Sequence, residues 1–189
     1  MNPFPQSSPA HEMFRRISAE VPTLDLGAGN AGPTDWTSEL ARFSDEELLG
    51  AAVAVPFMAS AVRSGLLLRA DLLEPSHEIS QRIDTPTGSY WHGIMHRREG
   101  DFSNSKYWFR RVGAHPLFPE LSKEALELAG HGEDPEIVTG GSWDPFRFVD
   151  VCESRLAAAH DEVKDALLEL QELEIELLLR YSYREAVGQ

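Results

Sequence analysis

The chain has 189 residues and a formal net charge of −14, with 42% hydrophobic and 25% charged residues. This composition is ordinary for a globular protein of one domain. The negative charge repels phosphates, so it argues against general binding to nucleic acid or to an anionic membrane. Cys152 is the only cysteine, so no internal disulfide can form. Because the first residues also contain no apolar run, we expect a cytoplasmic protein.

The first part of the chain differs in composition from the rest. Residues 1–35 are rich in proline and glycine, which interrupt regular helices and strands. The sequence therefore predicts an N-terminal arm over 1–35, with one short helix near 10–20, and a single helical domain over 36–189. We expect three apolar residues to attach the arm to the core: Val21, Leu24 and Leu26.

A buried pair of helices is predicted next. Ser44 begins a capping box, in which a hydroxyl and a carboxylate three residues later satisfy the first backbone N–H groups of a helix. The apolar sequence that follows contains Pro56, which divides it because proline has no amide hydrogen. We therefore predict helices near 45–54 and 56–73. The segment EPSHEISQ follows, and its proline and serine suit the first turn of another short helix.

A short helical hairpin is predicted over 88–113. Its first helix covers about 89–98 and its second about 103–112, and Gly100 suits the turn between them. Residues 87–116 hold five of the chain's 17 lysines and arginines but only two of its 31 acids. This local excess of basic residues, together with several histidines and aromatic residues, makes the hairpin the best candidate for a ligand site.

The C-terminal part of the chain predicts a long helix from 145 to about 186, with a break near His160. An Asp-Pro pair at 144–145 suits its N-terminus. Apolar residues recur every three or four positions in its second half, which predicts a stripe packed on the core. Homodimerisation through Leu178 and Leu179 is the alternative. Alternation with a period of two is missing, so the predicted fold class is all-α, a multi-helical bundle.

The first hairpin helix carries a pattern that is typical of metal sites. His92, His96 and Glu99 follow one another at i, i+4 and i+7 and therefore share a stripe. Two histidines at this spacing can bind one divalent metal ion, and the third ligand can come from His77, Glu99 or Asp101. An open fourth position would activate water for hydrolysis. Alternatively, the histidines make hydrogen bonds within an aromatic core.

A second hypothesis is a pocket for a small polar or anionic ligand, with His92 or His96 as a catalytic acid or base near neutral pH. Arginine binds carboxylates and phosphates with paired hydrogen bonds, and aromatic rings stack on sugars or bases. The candidate ligand-binding residues are basic and aromatic: Arg97, Arg98, Lys106, Tyr107, Trp108, Arg110 and Arg111. The alternative is that the arginines pair with the chain's many acids. The sequence favours the small-ligand pocket over a metal-dependent hydrolase that uses His77, His92 and His96.

A third hypothesis is a helical interaction protein without catalysis. The acidic, leucine-rich C-terminal helix would then present a surface to a partner protein or form the seam of a homodimer. An enzyme requires a site that gathers the histidines, whereas an interaction protein requires an exposed apolar patch. The two possibilities therefore differ in where their polar and apolar side chains should lie.

Two motifs in the chain resemble a module of uncharacterised bacterial and fungal proteins. They are SHEISQ at 76–81 and WHGIMHRREGDFSNSKYWFRRVGAHP at 91–116, and the module has the form SHxISQ followed by WHxxMHRRExDxSNxKYWxRRVGxHP. The resemblance covers residues 67–121 and implies no reaction type. The residues that match the motif are polar or aromatic: His77, Gln81, His92, His96, Arg97, Arg98, Glu99, Asp101, Asn104, Lys106, Tyr107, Trp108, Arg110, Arg111 and His115.

Overall fold

The chain folds as α-helices connected by turns in the computed structural model, which describes residues 2–28, 32–129, 137–139, 141–157 and 162–189. This confirms the predicted all-α class. The elements in chain order are α1 (Pro9–Glu20), α2 (Trp36–Ala41), α3 (Asp45–Leu49), α4 (Pro56–Arg69), α5 (Leu73–Ser80), α6 (Pro86–Glu99), α7 (Phe102–Val112), α8 (Phe118–Ala129), β1 (Val138–Thr139), β2 (Ser142–Trp143), α9 (Pro145–Arg155) and α10 (Glu162–Val187). The strands β1 and β2 form a small antiparallel hairpin.

The N-terminal segment packs into the same core as the later helices. The helix α1 begins after Ser8, whose hydroxyl accepts the His11 N–H, and Pro9 occupies its first position. Farther along, the buried Arg69 of α4 donates to the Val21 carbonyl over 2.7 Å. The buried apolar side chains of this segment are Phe4, Ala10, Met13, Phe14, Ile17, Val21, Leu24 and Leu26. The segment predicted as an arm thus contributes directly to the core.

The predicted helices at 45–54 and 56–73 are both shorter in the structure. The capping box at Ser44 is present, but α3 ends at Gly50, which adopts a left-handed φ of 65°. The second helix is α4, which ends at Arg69, and Asp71 follows with a positive φ of 61°. This reversal of the backbone separates α4 from α5. Apolar composition alone did not show where these helices end.

The helix α4 passes very close to α6 and α10. A Cβ atom added at Gly65 would lie 2.6 Å from a Leu179 side-chain carbon and 2.7 Å from the Trp91 ring. Real Cβ atoms do not approach other atoms that closely, so the close approach requires glycine at position 65. The Trp91 indole N–H donates to the Ser182 hydroxyl over 3.2 Å, which joins α6 to α10 at the same level.

The long C-terminal helix is present as α10, and α9 precedes it as a separate helix. The break predicted near His160 lies outside the described residues. The candidate dimer contacts Leu178 and Leu179 are fully buried within the chain. Among the described helices, none combines the length and the apolar composition needed to cross a bilayer.

The predicted hairpin is confirmed as α6 and α7. The Thr85 side chain accepts the Gly88 N–H at the start of α6, and Gly100, with a φ of 88°, ends the helix. The Asp101 carboxylate then accepts the Asn104 N–H and starts α7. The helix α6 contacts α4, α5 and α7, and its side chains are buried from Thr87 through Arg98. Its polar residues are therefore core residues, although the composition of the helix does not predict a buried one.

Candidate metal centre

Three histidines from two helices meet at one point of the structure. His77 comes from α5, and His92 and His96 come from α6. The His77 ring centroid lies 4.7 Å from that of His92 and 5.4 Å from that of His96, and the His92 and His96 rings stack 4.7 Å apart. One ring nitrogen from each histidine lies within 4.8 Å of the other two. Nitrogens bound to one tetrahedral zinc ion are about 3.4 Å apart, so modest ring rotations would bring all three to bonding distance.

Local sequence explains why these side chains meet. The i, i+4 spacing puts His92 and His96 on one face of α6. The connection between α5 and α6 is tight because Gly88 has no side chain: a Cβ atom there would lie 2.1 Å from the Ile83 carbonyl oxygen. This close contact holds the connection at Ile83 against the first turn of α6, and the short connection places His77 beside the two histidines of the following helix.

The hydrogen bonds of His96 determine which of its ring nitrogens carries the proton. Its Nδ1 atom lies 3.0 Å from Oε2 of Glu99, and its Nε2 atom lies 3.0 Å from the Asn104 side-chain amide. An ionised carboxylate only accepts hydrogen bonds, so Nδ1 carries the proton and Nε2 keeps its lone pair. Burial lowers the pKa of His96, and the bond to Glu99 opposes that shift. Glu99, a predicted metal ligand, is hydrogen-bonded to a histidine here, as carboxylates beside metal-binding histidines often are.

His92 is the most deeply placed of the three ligand candidates. Its ring is buried and stacks on Trp108, with the centroids 3.9 Å apart and the planes at 16°. Its Nδ1 atom is buried and finds no hydrogen-bond partner among the described residues. Leaving such an atom unsatisfied costs about 1–3 kcal/mol. Burial, followed by repulsion from His96 and His77, lowers the pKa of His92 to about 3, so the ring is the neutral form that metals bind.

His77 connects the cluster to solvent. Its side chain is 28% exposed, whereas those of His92 and His96 are buried. Its Nδ1 atom lies 3.9 Å from Oε2 of Glu74, an exposed residue of the first turn of α5. The cluster therefore has two buried nitrogen donors and one donor at the surface.

Two of the predicted ligand-binding residues lie away from the histidines. Arg97 and Arg98 are fully buried, and each pairs with a carboxylate: Arg97 with Glu174 over 2.6 Å, and Arg98 with Asp71 over 2.5 Å. Successive residues of a helix point in different directions, so the arginines after His96 face the interior of the bundle. Arg97 and Arg98 therefore follow the alternative interpretation, in which the arginines pair with acidic residues of the chain.

The remaining candidates lie on α7. Lys106 pairs with Asp150 and lies 3.9 Å from Glu153, so it binds α9. Trp108 contacts His92, and the exposed Tyr107 meets Trp108 edge to face at 5.5 Å. Two arginines complete the set: Arg110, which is exposed, and Arg111, whose Cζ atom lies 5.1 Å from the Trp108 ring centroid. The helix α7 therefore places Trp108 against His92 and Arg111 beside Trp108.

One contact of the site was not among the predicted site residues. Asn104 of α7 reaches His96 across the hairpin, because the turn at Gly100 brings the start of α7 alongside the end of α6. The signal was present, since the hairpin that brings Asn104 to His96 was itself predicted. Comparison of the chain with protein-family models, with curated proteins and with solved structures finds no match.

Proposed function

We propose that the protein binds one divalent transition-metal ion through His77, His92 and His96 and uses the open coordination position for hydrolysis. The observation that carries this proposal is the convergence of three ring nitrogens within 4.8 Å of one another. Two features support it further. The buried Nδ1 atom of His92 lacks a partner among the described residues. Glu99 accepts from Nδ1 of His96, so the lone pair of that ring lies on Nε2, the atom to which the Asn104 amide donates.

The donor set indicates the class of metal. Three neutral imidazoles suit zinc, copper, iron or nickel, whereas magnesium and calcium prefer oxygen donors. A structural zinc site is normally closed by four protein ligands, whereas three ligands leave a position for water. The His77 side chain is partly exposed, so the histidine cluster is open to solvent on that side.

The chemistry follows from the open position. A metal ion with three nitrogen ligands lowers the pKa of its bound water to about 7. A metal ion held by His77, His92 and His96 would make water a nucleophile for the carbonyl carbon or phosphorus of an ester. The water would give up one proton to solvent, and the leaving alcohol would take one up as its bond to that atom breaks. Water and ester would be consumed, and acid and alcohol would be formed.

The interaction-protein hypothesis receives less support. It requires a continuous exposed apolar patch. Among the described residues, the exposed large apolar side chains are Phe57, Tyr107 and Val163. They belong to three different helices, α4, α7 and α10. Scattered exposed side chains of this kind are ordinary for a protein surface.

The experiment is a titration of chelator-treated protein with Zn²⁺ by calorimetry, followed by elemental analysis. We expect one ion per chain in the wild type and none in His92→Ala/His96→Ala at the same protein concentration. His11→Ala removes a histidine outside the cluster and serves as the matched control, with unchanged binding. Circular dichroism establishes that each variant keeps its helices. Equal zinc binding by the double variant and the wild type would overturn the proposal.

Hydrolysis is then tested on the zinc-loaded protein with p-nitrophenyl acetate and p-nitrophenyl phosphate. We expect turnover that depends on zinc and that disappears in His92→Ala/His96→Ala. Zinc binding without turnover of either ester would support the metal site but would show that the protein does not hydrolyse these two model substrates. The His11→Ala protein again provides the reference rate.

A further inference from the structure

A stripe along α7 lies against the three histidines. It consists of Asn104, Trp108 and Arg111, which are spaced at i, i+4 and i+7 and therefore share one helix face. Asn104 contacts His96, and Trp108 stacks on His92. Arg111 is the next residue along the stripe, with its Cζ atom 5.1 Å from the Trp108 ring centroid. The stripe thus continues from the candidate metal ligands to a positive charge.

Arg111 differs from the other cations of the hairpin in how it is paired. Arg97 and Arg98 are locked in buried pairs, and Lys106 binds acids of α9. Arg111 pairs with Asp84 over 2.9 Å, but 92% of the Asp84 side chain and 44% of the Arg111 side chain are exposed to solvent. Exposed ion pairs contribute little because water screens them. Arg111 can therefore exchange Asp84 for the anionic group of a ligand with little loss.

The distances limit the size of such a ligand. The stacking of Trp108 on His92 and the position of Arg111 over Trp108 together place the guanidinium within about 9 Å of the His92 ring. A guanidinium binds a carboxylate or phosphate with paired hydrogen bonds, and a metal binds the ester oxygen at about 2 Å. A few covalent bonds span the remaining distance, and Trp108 contacts the groups at both ends, His92 and Arg111.

We infer that Arg111, positioned by Trp108, binds the anionic group of the substrate, so that the hydrolysed ester belongs to a small molecule with a carboxylate or phosphate a few bonds away. This inference rests on the proposed metal-dependent function. It assigns different tasks to neighbouring groups: the histidines hold the metal, Trp108 provides an apolar wall, and Arg111 selects for negative charge.

The test uses the full-length protein loaded with Co²⁺, whose visible absorption reports on ligands near the metal. Inorganic phosphate and benzoate are titrated separately at constant ionic strength, so that the two anion chemistries are distinguished. We expect Arg111→Gln to raise the dissociation constant of at least one anion about tenfold or more, the effect of losing one charge-assisted pair. The matched control, Arg110→Gln, removes an exposed arginine one residue away and should leave the constant unchanged.

A second variant gives a change in the opposite direction. Asp84→Asn removes the carboxylate that competes for Arg111, so anion binding should tighten by about twofold to fivefold. A purely structural role for the Asp84–Arg111 pair predicts no tightening. Unchanged anion affinity in both Arg111→Gln and Asp84→Asn, with normal cobalt absorption, would overturn the inference and leave the proposed function intact. Failure of the wild type to bind Co²⁺ or Zn²⁺ would overturn the proposed function and this inference with it.

Discussion

Arg97 donates through Nη2 to Oε2 of Glu174 over 2.6 Å, and neither side chain is exposed to solvent. The other Glu174 oxygen accepts the Tyr90 hydroxyl over 2.9 Å, so one carboxylate of α10 holds two residues of α6. The Arg97 guanidinium also lies 4.3 Å from the centre of the Phe148 ring. Because Arg97 directly follows His96, this buried network fixes the helix that presents two of the three candidate metal ligands.

Breaking the Arg97–Glu174 pair should strongly destabilise the protein. We expect Glu174→Leu to lower the free energy of unfolding by about 3–5 kcal/mol, because it leaves a buried guanidinium without its carboxylate. Replacing both partners, in Arg97→Met/Glu174→Leu, should recover the part of that loss that comes from the unpaired guanidinium, whereas the Tyr90 hydroxyl lacks its carboxylate partner in both variants. Urea unfolding followed by circular dichroism measures both effects.

The control for that experiment is the partly exposed pair of Arg180 and Glu120, which lies 2.5 Å apart. Glu120→Leu should change the free energy of unfolding by less than about 1 kcal/mol. A loss in Glu174→Leu no larger than that of the control would contradict the buried position of the pair.

His115 should make the stability of the fold depend on pH. Burial lowers the pKa of His115 to about 4, and its Nδ1 atom accepts the Leu117 N–H over 3.2 Å, which requires the neutral ring. The unfolded chain takes up this proton near pH 6.5, the usual pKa of histidine. Between pH 6.5 and 4 the unfolded state therefore binds more protons, and stability falls as the pH falls.

The measurement compares wild type with His115→Gln by urea unfolding at pH 7.5 and at pH 5. We expect the wild type to have a larger free energy of unfolding than His115→Gln at pH 7.5. This difference between the two proteins should be smaller by about 2 kcal/mol at pH 5. Comparing the two proteins removes the contribution of the other histidines, which both retain. An advantage that stays constant across this range would show that His115 does not titrate as its buried contacts require.

Glu99 should tune the affinity of the proposed metal site without binding the metal. The Glu99 carboxylate orients Nδ1 of His96 and makes the imidazole ring more basic, and replacing Glu99 with glutamine removes that negative charge. We expect Glu99→Gln to weaken Zn²⁺ binding about 10–100-fold. Glu78→Gln makes the same charge change at an exposed position of α5 and should have little effect. Equal affinities of the two variants in a competition titration would exclude an orienting role for Glu99.

The direction of the stability change in Gly65→Ala tests the close approach of α4 to α6 and α10. Glycine in the interior of a helix is normally about 1 kcal/mol less favourable than alanine, so Gly65→Ala would stabilise an uncrowded helix. At this position the added methyl group would meet Trp91 and Leu179. We therefore expect a destabilisation of about 1–3 kcal/mol. A thermal melting temperature above that of the wild type would contradict the close approach of α4, α6 and α10.

Much of the candidate site follows from local sequence. The hairpin could be predicted because Gly100 and Asp101 provide the residue types that end one helix and begin the next. The shared face of His92 and His96 follows from the helical repeat alone. His77 was named as one of three possible third ligands, and the structure brings it to the other two histidines because a short connection joins its helix to theirs.

The roles of the arginines could not be predicted in the same way. Arg97 and Arg98 look like their neighbours in a basic segment, but the partner of Arg97 lies 77 positions away and that of Arg98 lies 27 positions away. No local pattern specifies such pairs, because they depend on how α6 packs against the rest of the bundle. Likewise, the N-terminal prolines and glycines indicate a lack of long helices but not that this segment fills the core.

The three histidines and Trp108 all come from α5, α6 and α7, which follow one another directly in the chain. Contacts between residues close in sequence form faster than distant ones, because closing a short loop loses less chain entropy. We therefore expect this region to assemble early during folding, before α10 docks and Glu174 reaches Arg97. An ion captured at that stage would accelerate refolding of the whole protein, so stopped-flow refolding with and without Zn²⁺ reports the order of events.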